Sequence, residues 1–214
     1  IRILLTPLFL IFVQCTLIAQ NQFYKLTPLP LNDLSGFRNP AKNWKITGGV
    51  SGSFDTTLPG TEKGSGILFN DFDDKGRFKA ETNLMTQLEH GDIFLVLDFM
   101  MPKGSNSGIY LQGRYEIQLF DSWTVKVPHV TDCGSIYERW DDSRPEGKKG
   151  YEGHPARTNA CLAPNIWQHL EIEFRAPRFD AAGKKIAPAQ FGKVVLNGVL
   201  IHENVIVLGP TRSS

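Results

Sequence analysis

The chain has 214 residues, a formal net charge of +1 and 41% hydrophobic residues. That length and balance fit one globular domain, and the near-neutral charge without a polybasic tract excludes nucleic acid as a partner. At the start, Arg2, the apolar run Leu8 to Val13 and then Leu17-Ile18-Ala19 read as a positive region, a hydrophobic region and a small residue at a cleavage point. A signal peptide over residues 1–19 is therefore expected, leaving 20–214 as a single domain in the periplasm or outside the cell. Thr6, Pro7, Gln14 and Thr16 interrupt a segment barely long enough to span a bilayer, so no transmembrane anchor is expected after the leader is removed. Val13-Gln14 before Cys15 argues against lipid attachment. The chain does not open on Met and is expected to be a fragment at its N-terminus.

Residues 20–34 lack periodicity and hold Pro28 and Pro30; the first strand is expected near Trp44-Lys45-Ile46. Short strands follow at Gly64 to Asn70 and Phe78 to Met85, joined by the carboxylate-rich turn Asp71-Phe72-Asp73-Asp74-Lys75-Gly76. A calcium loop would need an oxygen ligand where Lys75 stands and a Glu where Thr82 stands, so the turn reads as a plain hairpin. Gly91 to Met101 is a long apolar strand with Asp98 as its exception, and it fits a place covered on both faces of a sandwich. Pro102 to Ser105 ends it in a turn.

The run Asn106-Ser107-Gly108-Ile109-Tyr110-Leu111-Gln112-Gly113 leads into Arg114-Tyr115-Glu116-Ile117-Gln118-Leu119-Phe120-Asp121-Ser122-Trp123. From Tyr115 to Phe120 it alternates as a strand. Arg114, Glu116 and Gln118 then project together, about 6.6–7 Å apart, so a cation, a carboxylate and an amide can meet one small ligand. Such a face is also what an ordinary half-solvated strand presents. Residues 123–164 lose the alternation and fill with Pro, Gly, charges and aromatics. A loop of that length is functional or disordered, and Trp123, Tyr137, Trp140 and Tyr151 argue against disorder. Trp167 to Ala176 alternates again, 180–184 is a turn, and Phe191 to Leu196 pairs with Val199 to Val205 around Asn197-Gly198, a strong hairpin signal. The chain is thus all-β, with a dozen or so strands. With Cys15 gone in the leader, Cys133 and Cys161 remain in an oxidising compartment; they either pair across the loop or stay as two buried thiols.

The signature from Asn106 to Ser122 resembles the central motif of the 3-keto-disaccharide hydrolase family. In the same order, Asp132-Cys133-Gly134-Ser135-Ile136-Tyr137, Asn159-Ala160-Cys161, Trp167-Gln168-His169-Leu170, Phe174 to Asp180 and Asn197 to Val205 are similar to that family, so the resemblance covers roughly residues 31–212. It implies a jelly-roll sandwich of two curved antiparallel sheets, of the concanavalin A-like type shared by lectins and laminarinase-type glucanases. It also implies that strands are missing beyond Arg212.

A conventional glycosidase needs two carboxylates, about 5–5.5 Å or 6.5–9.5 Å apart. The signature face offers Glu116 and the amide of Gln118, while Asp121 stands out of phase. A 3-keto sugar asks for less, because its carbonyl acidifies the C2 proton and the glycosidic oxygen at C1 leaves by elimination. The resemblance joined to this face implies Glu116 as base, Arg114 or a divalent metal as the stabiliser of the enolate, and Gln118 as the group that orients a hydroxyl, with hydration afterwards. No His or Cys spacing marks a metal site. Tyr110, Asp121, Trp123, Tyr137, Arg139, Trp140, His154 and Asn159 are the expected substrate wall, where ring faces stack on pyranoses. His129, Asp132 and His154 are the alternative bases. A non-catalytic lectin-like module and a conventional glucanase are the competing readings; the expected partner in all three is a carbohydrate.

Overall fold

A computed structural model of the chain describes residues 25–71 and 82–212. The expected leader, the turn at 72–76 and the first half of the expected strand at 78–85 lie outside them; of the second half, Met85 alone stands in a strand. Fourteen strands are present among the described residues: β1 Phe37–Arg38, β2 Trp44–Ser51, β3 Gly60–Asn70, β4 Met85–Thr86, β5 Ile93–Phe99, β6 Asn106–Leu111, β7 Tyr115–Phe120, β8 Arg139–Trp140, β9 Gly150–Tyr151, β10 Gln168–Arg175, β11 Arg178–Phe179, β12 Lys185–Ala187, β13 Ala189–Leu196 and β14 Val199–Val207. Every pairing is antiparallel, and the architecture is an all-β sandwich of jelly-roll type.

One layer is the four-stranded sheet β14-β13-β10-β5. Its central strand β10 buries Gln168, Leu170, Ile172 and Phe174 and turns His169, Glu171 and Glu173 outward, the period-2 division of a sheet with one covered face. Phe191, Val194 and Leu196 of β13 and Ile201 of β14 join the same core. Across from them lie Leu111 of β6 and Tyr115, Ile117 and Leu119 of β7. The rings of Tyr115, Phe174 and Phe191 meet at centroid distances of 5.5 and 5.3 Å, and each buried side chain of this size contributes about 1.5–3 kcal/mol. The apolar run of β5 differs from expectation. It stands at the end of the four-strand order rather than between two covered faces, and Asp98 points out of the sheet to accept a 2.7 Å hydrogen bond from His169 Nδ1. Continuous apolarity there reflects partial cover on both sides, not central burial.

Two hairpins set the geometry. Asn197 and Gly198 take φ of 52° and 80°, the mirror-image turn that matches strand twist. Gln112 and Gly113, with φ of 56° and 64°, make the same kind of turn between β6 and β7, which the sequence did not flag because a Gln precedes the glycine.

Candidate active site

A third segment completes the sheet of the β6–β7 hairpin. Gln118 N donates to Ser135 O at 2.9 Å, Gly134 N to Gln118 O at 2.8 Å and Tyr137 N to Glu116 O at 3.1 Å. Ile117 bridges to Ile136, and Ile136 in turn to His154. Directly opposed residues of an antiparallel ladder share a face, so Ile117, Ile136 and His154 look toward the core. Tyr110, which pairs with Glu116, lies with Glu116 and Tyr137 on the other face, and Gln118 with Gly108 beside them.

Glu116 is only 6% exposed. The Tyr110 hydroxyl donates to its Oε2 at 2.7 Å, and its backbone N donates to Thr211 Oγ1 at 3.2 Å. Burial pushes the carboxyl up to about 7, against the opposing pull of the Tyr110 hydrogen bond. The Gln118 amide nitrogen donates to Glu116 Oε1 at 3.1 Å and to Ser107 O at 3.2 Å, the arrangement that suits an ionised carboxylate, which can only accept.

Tyr137 stands opposite Glu116; burial raises its pKa on balance, and the Arg212 charge acts on its hydroxyl in the opposite direction. That guanidinium lies 3.7 Å over the Trp140 ring, and the Arg212 carbonyl is 3.4 Å from the Tyr110 hydroxyl. The arm that carries it is pinned by Thr211 N to Arg114 O and Arg212 N to Glu138 O, both 2.8 Å. Arg212 was not legible beforehand, since it sits in irregular chain after the last strand and belongs to no periodic pattern.

The remaining expected residues divide. Glu116, Gln118, Tyr110, Tyr137 and Trp140 come together. Arg114 is exposed at the hairpin turn, and its charge acts on the Tyr115 hydroxyl rather than on the buried carboxyl. Arg139 is paired with Glu152 at 2.8 Å, lies over Tyr151 and packs on Gly209, which makes it a prop under the C-terminal arm. His154 looks to the core side, because its ladder partner is Ile136. Asp121 Oδ2 accepts from Gly104 N at 2.9 Å and so closes the turn before β6. Asn159 spends its amide nitrogen on the carbonyls of Ser122, Trp123 and Val125 and its oxygen on Cys161 N. Trp123, 46% exposed, stacks on Phe54 at 6.5 Å, beyond the far end of β7 from Glu116. Of the alternative bases, Asp132 Oδ2 accepts from His129 N at 2.7 Å, a local turn.

A cavity of about 240 Å³ near Phe54 is lined by Gly52, Ser53, Phe54, Pro164, Asn165 and Ile166. None of these side chains ionises. Among the described residues no three or more His, Cys, Asp or Glu side chains gather as a metal cage. The groups around Glu116 are two phenols and an amide, without the further carboxylates a divalent ion takes, and no step is derived through one. Cys133 and Cys161 are two buried free thiols.

No curated protein sequence matches the chain. Among solved structures, a 2.13 Å crystal structure of a protein of Parabacteroides distasonis, provisionally named a glycosyl hydrolase, aligns with a TM-score of 0.51 at 19% identity, covering 91% of this chain and 80% of that one; at that identity the likeness is one of fold. The family model of the 3-keto-alpha-glucoside-1,2-lyase-like domain matches residues 32–214, with Glu116 and its neighbours inside the match, and the chain belongs to that family.

Proposed function

We propose that the protein cleaves the glycosidic bond of 3-keto-α-glucosides by elimination across C1 and C2, followed by hydration. One observation carries the reading: a carboxyl that is 6% exposed, is held at 2.7 Å by a phenol and titrates at about 7. A general base works best when its pKa lies near the operating pH, and burial is how a carboxyl is brought there. The name of the family and the glycosyl hydrolase assignment of the structural neighbour support a carbohydrate substrate. Glu116 is the only carboxylate of β7, too few for the two-carboxylate hydrolysis of an unactivated glycoside and enough for a substrate whose C3 carbonyl acidifies C2.

In the elimination Glu116 takes the C2 proton; the electron pair of that bond forms the C1=C2 double bond, and the C1–O bond breaks with its pair passing to the leaving oxygen. Tyr110 and the Gln118 amide nitrogen, donating to Oε2 and Oε1, keep the carboxylate oriented. Water then adds: its oxygen bonds to C1, the proton it loses makes good the one taken up by the leaving oxygen, and Glu116 gives its proton to C2, which returns the base to its first state.

The test is Glu116→Gln with a 3-keto-α-glucoside, its unoxidised parent as the control, and C2 hydrogen exchange followed in D₂O. Wild type should release aglycone from the keto form alone, and the variant should lose both release and exchange by about 10²–10⁴-fold. Binding of either sugar without turnover would favour a lectin-like module, and turnover of the parent a conventional glucanase.

A further inference from the structure

Elimination needs a second proton transfer that Glu116 cannot supply, because the departing oxygen must be protonated while the base holds the C2 proton. Two phenols flank the carboxyl, on opposite sides of it: Tyr110 from β6 and Tyr137 from the segment bonded to the other edge of β7. Cross-strand neighbours on one face stand about 4.5–5.5 Å apart at Cβ, so either hydroxyl reaches across a sugar ring seated on Glu116.

We propose that the Tyr137 hydroxyl, backed by the Arg212 guanidinium, is the acid that protonates the leaving glycosidic oxygen. The proposal rests on the reading of Glu116 as base. Tyr110 is unsuited to the task. Its hydroxyl hydrogen is already committed to Glu116 Oε2 at 2.7 Å, so it is not free to face a leaving oxygen. Burial and that same carboxylate raise its pKa. Tyr137 has the opposite neighbour. Burial raises its pKa on balance and the charges of Glu138 and Glu116 add to this, while the Arg212 charge works against them.

Arg212 is fixed for the purpose. Its guanidinium rests 3.7 Å over the Trp140 ring, its backbone N–H donates to Glu138 O at 2.8 Å, and Thr211 Oγ1 beside it is tied to the start of β7, accepting from Glu116 N and donating to Arg114 O at 3.2 Å each. A cation stacked on an aromatic face is stabilised by about 0.5–2 kcal/mol and keeps its donors free at the rim. The cycle closes without another reactant. As C1–O breaks, the leaving oxygen takes the Tyr137 proton and the phenolate is left facing Arg212. When water attacks C1, its proton returns to Tyr137 while Glu116 gives its proton to C2.

The experiment compares Tyr137→Phe with wild type on two 3-keto-α-glucosides, one with a 4-nitrophenol leaving group and one with a sugar alcohol. An acid matters only when the leaving group is a poor one. The variant should lose about 10²–10⁴-fold on the sugar aglycone, less than about 10-fold on nitrophenol, and keep C2 exchange in D₂O. Arg212→Met should show the same pattern more weakly, and Arg212→Lys should restore part of it. Equal losses on both substrates, or none on the sugar, would overturn the assignment. Should Tyr137→Phe fail to fold, wild type decides alone: a graded series of aryl leaving groups should give a shallow dependence of rate on leaving-group pKa, and a steep one would overturn it. Loss of C2 exchange reports on Glu116 and leaving-group dependence on Tyr137, so the two readings fail separately.

Discussion

Glu116 lies across Gly108, occupying the space that any side chain at residue 108 would need. A Cβ built on Gly108 would stand 2.8 Å from both Cγ and Cδ of Glu116. Gly108 pairs with Gln118 rather than with Glu116, so the carboxyl reaches diagonally over the neighbouring strand and is buried by it.

Gly108→Ala should therefore displace the carboxyl rather than strain the backbone. Overpacking of this kind costs about 1–3 kcal/mol, and a misplaced base costs about 10²-fold. We expect a lower Tm together with kcat/KM reduced by that factor or more. Gly91→Ala, where a Cβ meets nothing within 4 Å, is the control and should leave both unchanged. Wild-type activity in the Gly108→Ala protein would show that Glu116 has no fixed place in the chemistry.

The carboxyl titrating at about 7 gives two pH effects of opposite benefit. kcat/KM should rise with pH through about 7 as Glu116 ionises, a limb absent from Glu116→Gln. Stability runs the other way. The folded pKa is raised above the ordinary value of 4.5, so the native state holds a proton that the unfolded chain releases, and stability falls as pH rises from about 4.5 to about 7. At pH 8 Glu116→Gln should be the more stable protein by up to about 3 kcal/mol, at about 1.4 kcal/mol per pKa unit. Urea titration at pH 5 and pH 8 measures it; a variant less stable than wild type at pH 8 would refute the burial argument.

The alternation of Tyr115 to Phe120 was enough to pick out Glu116 and Gln118, and that of Trp167 to Ala176 to find β10, because a strand with one buried face writes its pairing into every second residue. What covers that face was not legible. Tyr137 is held beside Glu116 by a segment that alternates over no useful length and pairs with β7 through irregular bonds around Gly134. Asn159 and Asp121 look like ligands in sequence because they are polar residues near aromatics, yet their side chains bond the chain's own backbone. Sequence carries which residues face alike along a strand; contacts between Arg212, Trp140 and Tyr137 join residues that no period relates.

Cys133 and Cys161 are buried free thiols close enough to act on each other, and this raises the pKa of Cys133. Produced in an oxidising compartment, the pair should form a disulfide, which in the chain-entropy model contributes about 3–4 kcal/mol. Mass spectrometry of an unreduced digest should find the linked peptides, and reductant should lower Tm. Two free thiols in protein made under oxidising conditions would remove the expectation.

His202 links the far sheet to the site's third segment. It is 2% exposed, its Nε2–H donates to Gly134 O at 2.8 Å, and Gly134 N donates in turn to Gln118 O at 2.8 Å. Burial lowers its pKa from 6.5 to about 4. In the unfolded chain the imidazole takes a proton below about 6.5, whereas the folded protein resists until about 4, so its contribution is complete above 6.5 and is lost as pH falls through that window. The loss is about 3 kcal/mol at most, and His154, whose pKa burial also lowers, adds in the same direction. Between about 4.5 and 7 the carboxyl of Glu116 works in the opposite sense and hides part of the slope. The clean measurement is therefore made in the Glu116→Gln background, where stability should fall more steeply from pH 7 to pH 4 than in wild type. Adding His202→Asn, which keeps a donor near Gly134, should lower stability at pH 7.5 and flatten the acid slope. If the slope were the same with and without His202, the acid sensitivity would belong to other groups and the link through Gly134 would have no part in it.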